Sequence, residues 1–322
     1  MMRTSWTPLA LAAFALAAPG CSDGPAGPDS DHEPVRTLLV HRQDTGENLL
    51  WDTDGSPAGE FAPVTRGMLP IATHPGEGTA VLRASTAIVL ATLGNPEELD
   101  TIIRPAPASQ SLAAFSANGL FVAVVAYAPT PGLLLYDRAN RRLDTLPLAG
   151  ADPVLPPMFS PDGERIALIS LTELSILVTI VPLSGPTSAT TNQISVSRFT
   201  NRLIFGWPRW GEDGLQIAFR RIAPEGPDTL LVGLVDPDVE GAPLDEQFRA
   251  LMAPAEDPEH EIDLAIASTY ALTTDGTTLA LGAVPTNGAA HGVYIVTENG
   301  SRIRPLLDAV GQYPVYPLFI RE

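Results

Sequence analysis

A ten-residue segment, FSPDGERIAL at residues 159–168, has four looser copies along the chain and constrains the fold more than any other feature. Pro161 presets φ at the second position of a tight turn, the side chain of Asp162 can cap that turn, and Gly163 supplies the positive φ that closes it. The apolar run at residues 166–169 is typical of a short strand that is buried on both faces. We therefore predict that each copy is a tight turn followed by a buried strand.

The five copies share a glycine that is followed four residues later by an alanine. These alanines, which are 43, 44, 51 and 62 residues apart, are Ala80, Ala123, Ala167, Ala218 and Ala280. In four copies Asn or Asp precedes the glycine, and both residue types favour such turns. The predicted structural turn residues are Asn118, Gly119, Asp162, Gly163, Asp213, Gly214, Asp275 and Gly276. A small residue at the alanine position would let neighbouring sheets approach closely.

A second apolar segment follows each copy and is predicted to form another strand. These segments lie at residues 87–90, 133–136, 176–181, 230–235 and 293–296. Some copies continue into a more polar segment, such as residues 143–146. Four strands in a period of about 45 residues is the size of one blade of a β-propeller. The sequence therefore predicts an all-β fold built from four-stranded antiparallel blades.

The two ends of the chain are predicted to share one blade. Residues 37–40 and 48–51 are candidate strands without a preceding turn motif, whereas residues 316–319 resemble the approach to the motif at residues 156–159. Pairing between the N- and C-terminal strands would leave no free sheet edge. Five complete units and one shared blade predict a closed six-bladed propeller.

The interval between the last two copies is longer than the others. About residues 236–263 are acidic and contain proline, so we predict an acidic insertion there and not a seventh blade. Within it, residues 244–252 have the pattern of a short amphipathic helix. His260 begins a segment like the zinc-protease motif HExxH, but Leu264 stands where the second histidine is required, so a solvated loop is predicted and not a metal site.

The FSPDGERIAL segment resembles the repeat of the TolB-type, WD-repeat-like β-propellers of the bacterial envelope, in which such a turn opens each blade. The resemblance covers residues 36–322 and is strongest at residues 159–168. TolB carries an additional N-terminal domain, whereas here we expect only a tether before the first strand. The resemblance therefore implies a TolB-like propeller without that domain, and it implies no role in the Tol–Pal system.

The N-terminus resembles a bacterial lipoprotein signal. A short positive region and an apolar segment of eight residues, 9–16, precede Cys21, the one cysteine of the chain. The resemblance implies a signal peptide at residues 1–20, lipidation of Cys21 and a disordered tether at residues 21–35, with Ser22 typical of sorting to the outer membrane. The alternative is an ordinary secretory signal that is cleaved near Ala18.

The charge of the chain excludes some classes of partner. Acidic residues outnumber basic ones 37 to 19, which gives a net charge of -18. No basic face is available to neutralise phosphates, so nucleic acid is excluded as a partner, and broad adhesion to anionic lipid is disfavoured. We expect a monomer that is held at the membrane through its lipid anchor alone.

The sequence offers no catalytic constellation, no metal site and no cofactor motif. The most concentrated aromatic segment gives a candidate binding surface at Trp207 and Arg209, because tryptophan and arginine are enriched at binding hot spots. Trp210 occupies the Phe159 position of its own unit and is predicted to be core. The histidines near strand ends, His41, His74 and His291, are interpreted as surface residues.

These observations favour a lipid-anchored propeller of the bacterial cell envelope, facing the periplasm or the cell exterior, that acts as a binding scaffold for an envelope protein or a small ligand. The alternative is an enzyme of the lyase or lactonase type that uses the central channel as its site. Three or more histidine or carboxylate side chains that converge on the channel axis would favour that alternative. The fold alone does not choose between them.

Overall fold

The structure is a computed structural model. It describes residues 35–104, 112–126, 132–148, 153, 155–171, 175–183, 190–195, 209–211, 214–221, 229–235, 248–252, 262–263, 269–273, 278–285, 290–297, 302–311 and 315–321. These residues form β-strands and one short 3-10 helix, Pro63–Thr65. The prediction of an all-β fold is confirmed. Within the described ranges, no helix is long and apolar enough to span a membrane.

The described strands lie in six antiparallel sheets, which we number along the chain. Sheet 1 consists of β1 (Thr37–Arg42), β2 (Asn48–Asp52), β3 (Pro57–Glu60) and the C-terminal strand β25 (Val315–Arg321). Sheet 2 consists of β4 (Leu69–His74), β5 (Thr79–Arg83), β6 (Ile88–Thr92) and β7 (Asn95–Ile103). Sheet 3 consists of β8 (Leu112–Phe115), β9 (Phe121–Ala126), β10 (Gly132–Asp137) and β11 (Arg142–Pro147).

The remaining three sheets follow the same order along the chain. Sheet 4 consists of β12 (Met158–Phe159), β13 (Arg165–Leu171), β14 (Ser175–Pro182) and β15 (Thr190–Ser195). Sheet 5 consists of β16 (Arg209–Gly211), β17 (Gly214–Arg221), β18 (Thr229–Val235) and β19 (Phe248–Met252). Sheet 6 consists of β20 (Ile262–Asp263), β21 (Thr269–Leu272), β22 (Leu279–Pro285), β23 (His291–Thr297) and β24 (Arg302–Gly311), with both β20 and β21 paired to β22.

The predicted turn at residues 160–163 is present. Gly163 has φ of +73°, and its N–H donates to the carbonyl of Ser160 at 2.8 Å. The Asp162 carboxylate accepts the Glu164 N–H at 2.9 Å and also the Ser160 hydroxyl. Because both hydrogen bonds favour the ionised form, they lower the pKa of Asp162. The aspartate of this turn therefore has the structural role that the sequence predicted.

A hydroxyl group completes this turn, and the sequence reasoning did not identify it. The Ser160 hydroxyl accepts the N–H of Arg165 at 2.9 Å, and the Ser116 hydroxyl accepts the N–H of Phe121 at 2.9 Å. In sheet 6 the Thr273 hydroxyl accepts the N–H of the residue five positions later at 3.0 Å. In these three copies, serine or threonine directly after the large apolar residue is therefore part of the turn.

The turn between β4 and β5 departs from the pattern. There the positive φ, +60°, belongs to Gly78 and not to Gly76, the glycine that the repeat had aligned with Gly163. The N–H of Gly78 is hydrogen bonded to the carbonyl of Pro75 at 3.3 Å. This turn is therefore shifted by two residues relative to the FSPDG turn.

Apolar side chains from neighbouring sheets form the core. In β1, Leu38 and Val40 pack in a cluster with sheet 6, whereas Leu39 packs in a cluster with sheet 2. Further clusters join sheet 2 to sheet 3 and sheet 3 to sheet 4. The motif alanines in the described core, Ala80, Ala123, Ala167 and Ala280, have no exposed surface. Sheets 1, 2 and 3 each take part in two such clusters, so they are covered on both faces, and continuous apolar strands are suited to that position.

Strand β25 pairs with β1 in antiparallel register, which joins the two ends of the chain as predicted. The register pairs Leu39 with Leu318 and His41 with Tyr316. The side chain of Arg36, just before β1, is buried and donates to the Thr278 hydroxyl of sheet 6 at 2.7 Å. The first residues of sheet 1 thus contact both its own last strand and sheet 6.

Two predictions from the sequence are wrong. Residues 244–252 were expected to form a helix, but Phe248–Met252 is strand β19 and pairs with β18; residues 244–247 lie outside the described residues. The interpretation of His41 and His291 as surface residues also fails, because their exposed fractions are 6% and 8%. Burial lowers the pKa of both imidazoles, since it disfavours the charged form.

Candidate functional site

One strand of every sheet lines a single cavity of about 620 Å³. We call these strands, β25, β4, β8, β12, β16 and β21, the inner strands, and the space between them the inner-strand cavity. The lining residues are Ala72, Thr73, His74, Pro75, Gly76, Ala114, Phe115, Ser116, Ala117, Pro157, Met158, Phe159, Pro161, Arg209, Trp210, Ala271, Leu272, Leu318 and Phe319. Each inner strand that leads into a motif turn brings the apolar residue of its motif to the cavity.

Aromatic rings dominate the wall. Phe115, Phe159, Trp210 and Phe319 come from four different sheets. Their shared position follows from the repeat, because three of them directly precede the turn or its hydroxyl residue. Such a wall brings aromatic side chains to the cavity from several sheets, and predominantly apolar and aromatic linings are typical of small-molecule sites.

Trp210 is held between the cavity and sheet 4. Its exposed fraction is 8%, and the guanidinium carbon of Arg165 lies 4.9 Å from the centroid of its ring. A cation near a tryptophan face is attracted to the ring, so this contact stabilises the observed position of Trp210. The prediction that Trp210 is core is confirmed, and the structure adds that it lines the cavity.

Arg209 is the one charged side chain in the described lining. It lies in β16, and its Nη1 donates to the backbone carbonyl of Thr273 at 2.8 Å, which connects sheet 5 to sheet 6. The sequence had proposed Arg209 as a residue of a rim surface together with Trp207. The structure places Arg209 on the cavity wall, and Trp207 lies outside the described residues.

His74 lies at the end of β4 and also lines the cavity. Its ring stands edge-on to Phe115, with centroids 5.6 Å apart, and its Nε2 is 3.1 Å from the carbonyl oxygen of Ala117. Its Nδ1 is buried and has no hydrogen-bond partner among the described residues. Sequence reasoning treated His74 as an ordinary surface histidine; its position directly before the first turn was the signal of a cavity location.

An ion pair fixes the turn of sheet 2 against sheet 3 beside His74. Arg138 contacts the carboxylate of Glu77 and donates to the carbonyl of Gly119, and its guanidinium carbon lies 5.8 Å from the Phe115 ring centroid. A Cβ added at Gly119 would meet Glu77 at 2.8 Å, and Gly119 has φ of +69°. The left-handed φ explains why the turn requires glycine, and Glu77 packs closely against it.

The other predicted residues divide into two groups. Asn118, Gly119, Asp162, Gly163 and Gly214 lie at turns or strand ends, where Gly214 has φ of +124°. Asp213, Asp275, Gly276 and the lipidation residue Cys21 lie outside the described residues.

The cavity wall differs in charge from the rest of the protein. Although the chain has a net charge of -18, the described lining contains no aspartate or glutamate. Its ionisable side chains are Arg209 and His74. In the part of the chain that the structure describes, no group of three or more His, Cys, Asp or Glu side chains is arranged to hold a metal ion.

No protein-family model matches the sequence, and no curated protein matches it. Among solved structures, the chain is similar to TolB from Acinetobacter baumannii, at 16% identity and a TM-score of 0.60, over 89% of this chain and 67% of that chain. It is also similar to a structure of a nidogen/laminin complex, at 13% identity and a TM-score of 0.57, over 88% of this chain and 97% of that chain.

A third similar structure is a functionally unknown protein from Desulfotomaculum acetoxidans, at 14% identity and a TM-score of 0.52, over 88% of this chain and 99% of that chain. At such identities structural similarity shows the fold and not the function. The fold of this protein is that of TolB-like and other β-propellers, as the turn motif had indicated.

Proposed function

We propose that this protein is a closed six-bladed β-propeller, lipid-anchored at the bacterial cell envelope, and that it binds a ligand or a partner segment in its inner-strand cavity. The cavity carries this proposal, because one strand of each sheet contributes to its wall. A large apolar pocket with a few convergent polar groups is the usual form of a ligand site.

Contacts between successive inner strands support a closed ring. Strand β25 contacts both β4 and β21, β4 contacts β8, and β8 and β16 both contact β12. The hydrogen bond from Arg209 to Thr273 spans the remaining step between β16 and the end of β21. The pairing of β1 with β25 would complete the ring without a free edge.

The residue types of the described lining support binding over catalysis. The lyase or lactonase alternative requires at least three histidine or carboxylate side chains on the axis, and the described lining supplies His74 alone. The aromatic residues and Arg209, by contrast, are the residue types that dominate binding sites. We therefore place a binding role first.

The proposed location depends on the N-terminus. Residues 1–20 would be removed as a signal peptide, Cys21 would carry the lipid, and residues 21–35 would tether the propeller of residues 36–322. The protein would then act as a monomer that contacts the membrane through its anchor, with an envelope protein or a small ligand as its partner and no nucleic acid. The resemblance to a lipoprotein signal and the net charge of -18 support this arrangement.

Blocking the cavity tests the binding role. Ala117 is exposed and lines the cavity, so Ala117→Trp would fill the opening without disturbing the core. Ala139 is an exposed alanine in another turn that does not line the cavity, and Ala139→Trp is the matched control. Both variants and the unchanged protein would be isolated from the producing cell, and the molecules that co-purify would be identified by mass spectrometry.

We expect the unchanged protein and Ala139→Trp to carry the same molecule and Ala117→Trp to lose it. If Ala117→Trp retains the molecule at full occupancy, the inner-strand cavity is not the binding site.

A further inference from the structure

We infer that the inner-strand cavity takes a small, flat aromatic molecule without a net charge. This inference rests on the proposed function, because it names the chemical class of the ligand that the cavity would bind. Two features of the described wall carry it: its ionisable side chains are already engaged within the protein, and the rest of its surface is mainly aromatic and aliphatic. The volume of about 620 Å³ is that of a small-molecule site.

The charged side chain of the wall, Arg209, is not free to bind an anion. Its Nη1 donates to the Thr273 carbonyl at 2.8 Å, and the residue makes a further interaction besides this bond. An anionic ligand would have to compete for a guanidinium that sheet 6 already holds. Its own charge would meanwhile be buried among apolar side chains, which is costly without a free partner. The wall therefore disfavours an anion, and the described lining has no carboxylate to offer a cation.

The imidazole of His74 gives the cavity no free hydrogen-bonding atom. Its Nε2 lies 3.1 Å from the carbonyl oxygen of Ala117, so the neutral ring is assigned the tautomer with its proton on Nε2. Nδ1 is then an acceptor, and it is buried. A donor group of a ligand would not reach Nδ1 unless the ring moved. His74 therefore contributes ring surface to the site and no hydrogen bond.

The described lining also lacks the side chains that a sugar would need. A sugar brings many hydroxyl groups into a site, and each buried hydroxyl without a partner costs free energy. The described lining contains no Asn, Gln, Asp or Glu. The hydroxyl of Ser116 is used in its turn, where it accepts the Phe121 N–H at 2.9 Å and donates to the Asn118 side chain at 2.8 Å. Thr73 adds one more hydroxyl, so these side chains cannot satisfy a sugar.

The rings favour a flat aromatic ligand. Aromatic side chains from four sheets reach the wall, namely Phe115, Phe159, Trp210 and Phe319. Met158 adds a thioether, which makes favourable contacts with aromatic rings. Offset or edge-on contact between aromatic rings stabilises a complex beyond the apolar area that it buries. A saturated molecule of the same size would bury similar area without that gain.

The test compares three ligands with one ring skeleton by isothermal titration calorimetry at neutral pH. They are 2-naphthol, its saturated analogue decahydro-2-naphthol, and 2-naphthoate, which carries a negative charge. On the unchanged protein, 2-naphthol should bind about 2- to 10-fold more tightly than the saturated analogue, the range for aromatic contacts. It should also bind about 10-fold or more tightly than 2-naphthoate, because a buried charge without a free partner is costly.

A pair of variants tests the rings directly. Phe115 is partly exposed, whereas the other three aromatic residues of the wall are buried, so Phe115→Leu disturbs the core least. This variant should reduce the preference for 2-naphthol over its saturated analogue. Phe121→Leu is the matched control, because Phe121 lies in the same sheet, is also partly exposed and is not in the described lining. It should preserve the preference.

The comparison of ligands on the unchanged protein needs no variant, so it remains decisive even if Phe115→Leu unfolds. Equal or tighter binding of the saturated analogue or of 2-naphthoate, or binding of none of the three, would overturn the inference. If Ala117→Trp abolishes such reversed binding and Ala139→Trp does not, the cavity stands as the binding site and only the ligand class is refuted. Binding of 2-naphthol that Ala117→Trp leaves unchanged would refute both.

Discussion

The buried amide of Asn48 should contribute more to stability than any exposed polar residue of the protein. Asn48 has no exposed surface, and its Nδ2 donates to the carbonyl oxygens of Thr65 and Met68 at 2.9 and 3.0 Å. Its Oδ1 lies 2.8 Å from Nδ1 of His41. One side chain therefore links β1 and β2 to the segment that leads into sheet 2.

Replacement of Asn48 by alanine would remove the amide from these three partner groups, although the Thr65 carbonyl still accepts the Met68 N–H at 2.9 Å. The Met68 carbonyl and His41 Nδ1 would lose their partner, and each such buried group costs about 1–3 kcal/mol, so we expect the free energy of unfolding to fall by about 2 kcal/mol or more. Asn95→Ala is the matched control: Asn95 is exposed and bonds the exposed Glu98, so its loss should cost about 0.5 kcal/mol or less.

Urea unfolding followed by circular dichroism would measure both variants. The slope of the transition should remain unchanged, because the fold and the surface exposed on unfolding are the same. A loss for Asn48→Ala no larger than that for Asn95→Ala would refute the reasoning, since it would mean that water or a shifted backbone satisfies the two groups.

Three further predictions concern pH, a turn and the anchor. Burial lowers the pKa of His41 below its usual 6.5, so below that pH the unfolded chain binds more protons than the folded protein. The free energy of unfolding measured in urea should therefore fall as the pH drops below about 6.5. His41→Gln should reduce that fall, and an unchanged pH profile of the variant would contradict the prediction. Gly163→Ala should lower the free energy of unfolding by about 1–2 kcal/mol through its φ of +73° alone, because no atom lies within 4 Å of the new methyl group. Gly94 has equally open space without a left-handed φ, so Gly94→Ala should cost less. Equal losses in the two variants would argue against backbone strain. Cys21→Ala should release the protein from the membrane fraction of the producing cell; a variant that stays membrane-bound would exclude lipidation as the anchor.

Much of the fold could be predicted because its signals are local. Proline, Asp162 and Gly163 determine a turn by their own backbone preferences and hydrogen bonds, and the alanine of each copy marks where sheets pack closely. Phe248–Met252 could not be predicted in this way. Its apolar spacing matches a helix, but without it β18 would be left with a free edge, so sheet pairing overrides the local pattern.

The candidate site was less accessible to sequence reasoning than the fold. Arg209 was selected by residue type, but its place on the cavity wall depends on the arrangement of six inner strands. His74 and His41 look alike in sequence, near the ends of strands, yet one lines the cavity and the other is bonded to Asn48. Whether a single polar residue is buried depends on the tertiary structure, and the residues next to it in the sequence do not predict which side chains it will contact.

The pairing of β1 with β25 also has a consequence for the order in which the chain folds. Sheets 2 to 4 each form from a continuous segment, so their hairpins can assemble locally and early. Sheet 1 cannot be completed until Val315–Arg321 finds β1 from the other end of the chain, and closing so long a loop is entropically costly. Docking of the last strand should therefore be the late and rate-limiting step, and a chain that lacks this strand would present β1 as an open edge.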